Sequence, residues 1–305
     1  MSGAQPDYLT VRELAELLRV KERKVYALAS EGEIPCSRAT GKLIFPRAGI
    51  EAWLERHSSG GEAAARSEPP AVFAGSHDPL LDWALRESRS GIASFFDGSL
   101  DGLTRLAGGQ ALAAGLHVFD PEGEDWNRAA LQAELGAAPV VLLQWAWRAR
   151  GLLVAEGNPR SLSGIDDLAG LTIVPRQPEA GSQVLLESLL ARAGLAGRSG
   201  EGSGGEAGPR FASPPARSEA DVALAVAEGK ADAGLGLASL AQQYRLGFVP
   251  LLRERFDLAV LRRAYFEPPF QRFMAFCGSL AFQVKADELG GYDLKEFGKV
   301  HWNGP

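Results

Sequence analysis

The N-terminal segment carries two helical patterns joined by a short turn, and this arrangement limits the possible folds more than any other feature of the chain. Thr10 precedes the first pattern and Glu13 follows it by three positions, which is the spacing of a capping box. Apolar residues recur at helical spacing over residues 11–18, and a second helical pattern covers residues 21–30. The segment is therefore predicted to begin with two short helices.

The second predicted helix separates an apolar side from a cationic and aromatic side. The cationic and aromatic side presents the candidate DNA-contacting residues of this helix, which are Lys21, Arg23, Lys24 and Tyr26. Cationic side chains near the start of such a helix can reach base edges, while flanking cations neutralise phosphates. The alternative is that Arg23 and Lys24 are only solvated charges on an amphipathic helix.

A short hairpin and a third helix follow. Residues 34–45 predict two strands around a Thr40-Gly41 turn, which would raise Arg38 and Lys42 to the tip of a wing. A proline then opens the third helix. Residues 1–57 are thus predicted to form a winged helix-turn-helix domain.

These features occur together in YLTVRELAELL, KVYALASEGEIP and IFPRAGIEAWL, and the whole segment resembles the excisionase/MerR-type DNA-binding domain. The resemblance implies that the second helix enters the major groove of double-stranded DNA and that the wing touches the backbone or the minor groove. Residues 8–57 hold nine Lys and Arg against seven Asp and Glu, so a single copy should bind DNA weakly. A homodimer, which brings two copies of the domain together, is therefore expected.

Composition and length leave room for a larger second domain. The chain has 305 residues, of which 46% are hydrophobic and 23% charged, with a net charge of −6. It has no run of 18 apolar residues and no signal-peptide pattern at its start, so we expect a cytoplasmic protein without membrane contact. Cys36 and Cys277 have no further Cys or His at metal-ligand spacing, so neither a metal site nor a cofactor is expected.

Two segments rich in small and polar residues divide the rest of the chain. Residues 58–70 have the composition of a flexible linker and mark a domain boundary. Residues 196–217 contain few apolar residues and are predicted to form a disordered surface insertion. The second domain is expected to cover residues 71–305.

The second domain alternates strand and helix patterns in the manner of α/β proteins. Strands are predicted over residues 72–74, 92–96, 116–119, 140–149, 152–155, 172–175, 233–235 and 248–251. Helices are predicted over residues 79–89, 99–108, 165–168, 181–193, 221–228 and 268–280. Repeats of strand, helix and strand are typical of βαβ units on a parallel sheet.

This order of elements resembles the type 2 periplasmic-binding-protein fold, in the cytoplasmic PBP-like form found fused to helix-turn-helix domains and to molybdopterin-biosynthesis proteins. The resemblance covers residues 71–300 and rests on pieces such as GSHDPLLDWAL, IDDLAGLTIVPRQPEAGSQVLLESLLARAGL and VALAVAEGKADAGLGLASLAQQYRLGFVPLLRERFDLAV. It implies two lobes that close over a small ligand, which contacts loops at strand ends and the N-termini of helices. Molybdate and tungstate are the ligands that relatives of this domain suggest.

Polar residues at the ends of predicted strands and at the starts of predicted helices are candidate ligand contacts. Helix N-termini bind anions, and glycine allows the backbone to approach a ligand. The candidates are Ser76, His77, Ser99, His117, Arg176, Ser182, Gly234 and Gly236. The alternatives are that Ser76 and Ser99 are helix N-caps and that His117 is a hydrogen-bonded core histidine.

One stretch departs from the pattern of the PBP-like family. The family has Arg-Gln, a basic residue and then Gly-Ser-Gly-Thr-Arg, whereas residues 176–183 read RQPEAGSQ. Glu179 would compete with an anionic ligand for the dipole of the following helix. Molybdate or tungstate is therefore one candidate effector, and a neutral or mixed-charge metabolite is the other.

The sequence shows no pattern of catalytic residues. It has no carboxylates at acid–base spacing, no Ser, His and Asp set and no phosphate-binding loop, so no enzymatic activity is expected. The two domains together predict a one-component transcriptional regulator that reads DNA and senses a small effector. The alternative is a ligand-binding protein of molybdenum-cofactor metabolism that does not regulate promoters.

Overall fold

The chain separates into two units within the segment that the sequence predicts to be a linker. The computed structural model describes residues 7–37, 41–57, 69–196 and 208–305. The two units are Met1–Ser67 and Glu68–Pro305. Most of the predicted linker therefore lies outside the described residues. No helix in the described ranges is long and apolar enough to cross a membrane.

Capping and apolar spacing position the helices of the first unit. The Thr10 side chain accepts a hydrogen bond from the Glu13 backbone N–H, and the Glu13 carboxylate accepts one from the Thr10 backbone N–H. The predicted capping box is thus confirmed. The helices are α1 (Val11–Leu18), α2 (Glu22–Ser30) and α3 (Arg47–His57). Their shared core is formed by Leu9, Leu14, Val25, Phe45 and Ile50.

The strands of the first unit pair differently from the prediction. β2 (Ile44–Pro46) lies antiparallel to β1 (Tyr8–Thr10), a long-range pairing that local sequence patterns do not reveal. Across the predicted hairpin, one isolated bridge joins Ser37 to Ile44. Arg38, at the predicted wing tip, lies outside the described residues.

Lobe 1 of the second unit is a parallel sheet with helical connections. Its strands, in spatial order, are β4 (Ala93–Phe96), β3 (Val72–Gly75) and β5 (Ala113–Leu116). The connecting helices are α4 (Pro79–Glu87) and α5 (Ser99–Ala107). The predicted strand over residues 116–119 is wrong, because β5 ends at Leu116 and His117 lies in the loop after it. Lobe 1 nevertheless has the predicted βαβ pattern.

A short hairpin and a helix lead from lobe 1 to the centre of the unit. They are β6 (Phe119–Asp120), β7 (Asp125–Trp126) and α6 (Arg128–Leu135).

Two 15-residue strands run through both lobes and hold them together: β8 (Val140–Val154) and β12 (Gly247–Leu261). They pair antiparallel along nearly their whole length. The sequence predicts two strands in place of β8, broken near Gly151, and only a fragment of β12, so both predictions are wrong. A Cβ at position 151 would lie 2.1 Å from the Val249 carbonyl oxygen. Gly151 therefore allows β12 to pass close by and does not end the strand.

Lobe 2 contains β9 (Thr172–Val174), β10 (Arg210–Phe211) and β11 (Ala233–Leu237). Its helices are a 3-10 helix at Ile165–Leu168, α7 (Gly181–Arg192), α8 (Glu219–Ala227) and α9 (Ala238–Tyr244). The sheet order through both lobes is β10-β9-β11-β8-β12-β5-β3-β4. The sheet is mixed and not wholly parallel as predicted, because β8 lies antiparallel to both β11 and β12.

The chain then returns to lobe 1. The last elements are α10 (Arg262–Tyr265), α11 (Pro268–Cys277), α12 (Leu280–Leu289), β13 (Tyr292–Asp293) and β14 (Val300–Asn303). Both α11 and α12 lie against α4, while β13 and β14 pair with β8. A long apolar core of lobe 1 results, which includes Trp145, Phe256, Phe270 and Phe273.

Part of the predicted disordered insertion is ordered. Residues 197–207 lie outside the described residues, but residues 208–217 return along the edge of lobe 2. Arg210 and Phe211 pair with β9, and Ala216 forms a bridge with Arg176. The predicted boundary at residue 217 is therefore wrong, because backbone pairing with β9 orders this segment despite its polar composition.

Candidate functional site

The exposed side of α2 carries the predicted DNA contacts. Four of them are solvent-exposed on this helix or at its N-cap, namely Lys21, Arg23, Lys24 and Tyr26. The opposite side is anchored in the core by Val25, Leu28 and Ala29. Lys42 is exposed as well. This surface can therefore offer cations and one aromatic ring to a DNA duplex.

Three of the predicted ligand contacts meet in lobe 1. The hydroxyl oxygens of Ser76 and Ser99 lie 2.8 Å apart, and the His117 backbone N–H donates to Ser99 Oγ at 3.2 Å. All three residues are buried. Neither serine caps its helix through its side chain, because Asp78 caps α4 by accepting from the Leu81 N–H and Gly98 occupies the N-cap of α5. The alternative role of the serines as N-caps is therefore wrong.

The N-terminus of α7 closes this group from lobe 2. A Cβ at Gly181 would lie 2.7 Å from the His117 carbonyl oxygen and 3.0 Å from Ser99 Oγ, so the two lobes are in contact here. Ser182, the next residue, is buried. Among the described residues, no hydrogen-bond partner is available to Ser182 Oγ. α7 also begins without a side-chain cap. Free donors thus lie where the lobes meet.

Arg176 has more structural contacts than the sequence suggests. Its Nε donates to the Ala216 carbonyl at 3.0 Å, and its Nη2 donates to the Arg217 carbonyl at 3.1 Å. Its Nη1 lies 3.7 Å from Glu219 Oε1. Burial lowers the pKa of Arg176 from its ordinary value, with Glu219 opposing this effect. This guanidinium therefore holds residues 216–217 against β9, and its predicted contact with a ligand stays a prediction.

The remaining candidate ligand contacts are His77, Gly234 and Gly236. His77 lies edge-on to Phe96, with ring centroids 5.5 Å apart, and its buried Nδ1 has no partner among the described residues. A Cβ at Gly234 would lie 2.4 Å from a Val222 methyl group, and one at Gly236 would lie 2.5 Å from a Leu153 methyl group. Both glycines are therefore required for packing within lobe 2, and their role in ligand approach stays a prediction.

The structure contains a buried ionic cluster that was not predicted from the sequence. Arg150 donates from Nη1 to both carboxylate oxygens of Glu219, at 3.0 and 2.9 Å, and from Nη2 to Glu254 Oε1 at 2.7 Å. Arg148 donates to Glu254 as well and to Asp78 Oδ2, the latter at 2.8 Å. The cluster therefore links Asp78 of lobe 1 to Glu219 of lobe 2 through the two long strands.

One sequence signal could have identified this cluster. Arg148 and Arg150 are two positions apart on β8, so they face the same side of the sheet. Both are almost completely buried, in a strand whose other residues are apolar apart from Gln144. Charged side chains are seldom buried unless they are paired. Two such arginines in a buried strand therefore predict carboxylate partners from elsewhere in the chain.

The electrostatics of the cluster are set by burial and by these partners. Burial alone would raise the pKa of Glu254, but Arg148 and Arg150 outweigh it and hold the pKa well below its ordinary value. Burial likewise opposes the ionisation of Glu219, and Arg150 and Arg176 again lower its pKa below the usual range. Burial lowers the pKa of His117, with Glu254 opposing, so the imidazole stays neutral at pH 7. Its Nδ1 lies 3.2 Å from Glu254 Oε2.

Comparison with known proteins gives one similar protein for nearly the whole chain and others that cover part of it. The uncharacterized protein YvgK of Bacillus subtilis (strain 168) is 26% identical over 308 residues, which covers 95% of this chain and 96% of that protein. An uncharacterized protein encoded in the 5' region of a 2Fe-2S ferredoxin gene of Clostridium pasteurianum is 36% identical over 80 residues, covering 26% and 71% of the two chains. The sulfate-binding protein SubI of Mycobacterium tuberculosis H37Rv aligns with a TM-score of 0.48 at 13% identity, over 72% of this chain and 85% of that one.

Two family models match the two units. Residues 8–58 match a helix-turn-helix domain, and residues 83–278 match the PBP superfamily domain. The predicted fold class, a small helix-turn-helix head followed by a two-lobed PBP-like α/β domain, is confirmed. Residues 83–278 make up more than half of the chain, so the chain belongs to the family described as the PBP superfamily domain.

Proposed function

We propose that this protein is a one-component transcriptional regulator whose helix-turn-helix head binds double-stranded DNA and whose PBP-like domain binds a small effector. One observation carries the proposal: the same chain has an exposed cationic side on α2 and a two-lobed domain whose lobes meet around buried polar groups. The role is one of binding and regulation, without catalysis, in the cytoplasm where the DNA is found.

On the DNA side, Arg23, Lys24 and Tyr26 would reach the major groove from α2, while Lys21 would contact the backbone. Arg38 and Lys42 stay the contacts that the sequence predicts for the wing. The head has nine cationic against seven anionic residues over positions 8–57, so one copy neutralises few phosphates. We therefore propose a homodimer that reads two half-sites.

On the effector side, the ligand would bind where Ser76, Ser99 and His117 of lobe 1 face Ser182 of lobe 2. A ligand that favours one arrangement of the lobes shifts the population toward that arrangement. A change in the lobes then alters the affinity for DNA. DNA binding must in turn alter the affinity for the effector by the same factor. Molybdate and tungstate are the anionic candidates for this position, and a neutral or zwitterionic metabolite is the other class.

The test combines DNA binding with ligand screening of the full chain. DNA upstream of the protein's own gene should be retarded in a mobility-shift assay, and a compound that raises the melting temperature should change the apparent DNA affinity. Light scattering should show a dimer, and a footprint should show half-sites about 10 bp or a multiple apart. No retardation even at low salt would rule out the regulator.

A further inference from the structure

We infer that the cleft accepts a small polar molecule of zero net charge, and that Glu219 excludes oxyanions because it is a built-in counter-ion for Arg150 and Arg176. The inference rests on the proposed function, since it concerns the effector of the same cleft. Glu219 thereby has a role in specificity that the sequence did not predict.

The charges of the buried cluster balance. Three guanidinium groups belong to the cluster, those of Arg148, Arg150 and Arg176. Three carboxylates face them, those of Asp78, Glu219 and Glu254. His117 is buried beside Glu254 and is neutral at pH 7, so it adds no charge. The arginines are thus already neutralised before any ligand enters.

Glu219 occupies the position that a bound anion would otherwise take. It is the first residue of α8, where the helix dipole favours negative charge, and its side chain is only 3% exposed. Both oxygens accept from Arg150 Nη1, and Oε1 lies 3.7 Å from Arg176 Nη1. A helix N-terminus between two guanidinium groups is a suitable site for an oxyanion. In this chain, the site is filled by the chain's own carboxylate.

An additional anion would therefore be bound without a matching cation. Transfer of an unpaired charge from water to a buried site is strongly unfavourable. Donor groups that need no further counter-charge, in contrast, remain without a partner. Ser182 Oγ, His77 Nδ1 and the Nε atoms of Arg148 and Arg150 are buried and have no partner among the described residues. A polar molecule without net charge can accept from such donors and leave the charge balance intact.

The experiment compares anion binding by the wild type and by Glu219→Ala, which removes the carboxylate and leaves space in its place. Thermal unfolding of the full chain is measured at constant 150 mM sodium chloride with added sodium acetate, sulfate or molybdate. The matched control is Glu228→Ala. Glu228 is the exposed C-cap residue of the same helix. Its replacement by Ala removes the same charge from the chain.

The wild type and Glu228→Ala should show no saturable rise in melting temperature with any of the three anions. Glu219→Ala should be stabilised by acetate or sulfate, by about 5 °C when the anion is ~100-fold above its Kd. Glu219→Ser, which also removes the carboxylate and leaves space in its place, provides the same comparison if the alanine variant does not fold.

Two results would overturn the inference: stabilisation of the wild type by molybdate or sulfate, or a folded Glu219 variant that gains no anion binding. Stabilisation of the wild type by molybdate or sulfate would overturn the inference even if neither variant folds. If Glu219→Ala gains anion binding but no compound of any charge binds the wild type, the charge assignment stands and the proposed sensing of an effector fails.

Discussion

The backbone N–H of Leu100 in α5 donates a hydrogen bond of 3.2 Å to the carbonyl oxygen of Glu179, across the boundary between the two lobes. The bond satisfies a donor at the N-terminus of α5, whose N-cap is Gly98 and which has no side-chain cap. An ion pair between Asp97 and Arg217 lies beside it. The lobes are therefore closed on each other by contacts between protein groups.

This closure depends on Gly98. Its φ of +113° and ψ of 160° lie in a region that is essentially restricted to glycine, and a Cβ would lie 2.7 Å from the Glu179 carbonyl oxygen. Gly98→Ala should separate the lobes, which would increase the radius of gyration in X-ray scattering and lower stability by about 3 kcal/mol. Gly109→Ala is the control, because Gly109 has a φ of +67° but no atom within 4 Å of its Cβ position. Gly109→Ala should lower the free energy of unfolding by only about 1 kcal/mol. Equal effects of the two substitutions would contradict a contact-driven closure.

A second prediction concerns DNA binding by α2. Replacing Arg23 and Lys24 by Ala should weaken specific DNA binding by roughly 100-fold, because each cation contributes about 1–3 kcal/mol. Thermal stability should be unchanged, since both side chains are exposed. The control is Arg12→Ala on α1, which removes an exposed cation that pairs with Glu16. Fluorescence anisotropy against the operator measures the affinities, and an unchanged Kd for the double variant would rule out α2 as the recognition helix.

Arg176 gives a prediction that does not require a ligand. Because its guanidinium is mostly buried and holds the carbonyls of Ala216 and Arg217, Arg176→Ala should lower the free energy of unfolding by about 2–3 kcal/mol. Arg160→Ala should cost less than about 1 kcal/mol, because Arg160 forms an exposed ion pair with Asp232. Urea unfolding in ligand-free buffer measures the free energies of unfolding of the two variants. Equal stabilities would return Arg176 to the role that the sequence suggested, that of a free ligand contact.

His117 should make stability depend on pH. Burial lowers its folded-state pKa below the ordinary value, so the unfolded chain binds a proton first as the pH falls. The stability that neutral His117 provides is therefore complete above about pH 6.5 and is lost as the pH falls through the lowered folded-state pKa. The difference in unfolding free energy between wild type and His117→Gln should shrink below about pH 6.5, by at most ~1.4 kcal/mol per pH unit. A difference that stays constant from pH 7.5 to pH 5 would exclude this linkage.

Local patterns in the sequence determined the elements that depend on near neighbours. The capping box at Thr10 and the apolar spacing of α1 fixed that helix, and residues flanking α4, α5 and α7 placed Ser76, Ser99 and Ser182 where two lobes could meet. Hydrogen bonds and apolar contacts within a few residues of one another are sufficient for such elements. The order of strands and helices also gave the two-domain fold class.

The tertiary structure alone decided the features that depend on distant residues. Strands β8 and β12 are continuous because each is the other's partner along nearly its whole length, which no local pattern near Gly151 could show. Arg150 joins Glu219, 69 positions along the chain, and Glu254, 104 positions along. Burial of a charge is possible only when its counter-charge is present, and only the packed structure brings the two together. The sequence therefore determined where the cleft forms, while the tertiary structure decided which charges are paired within it.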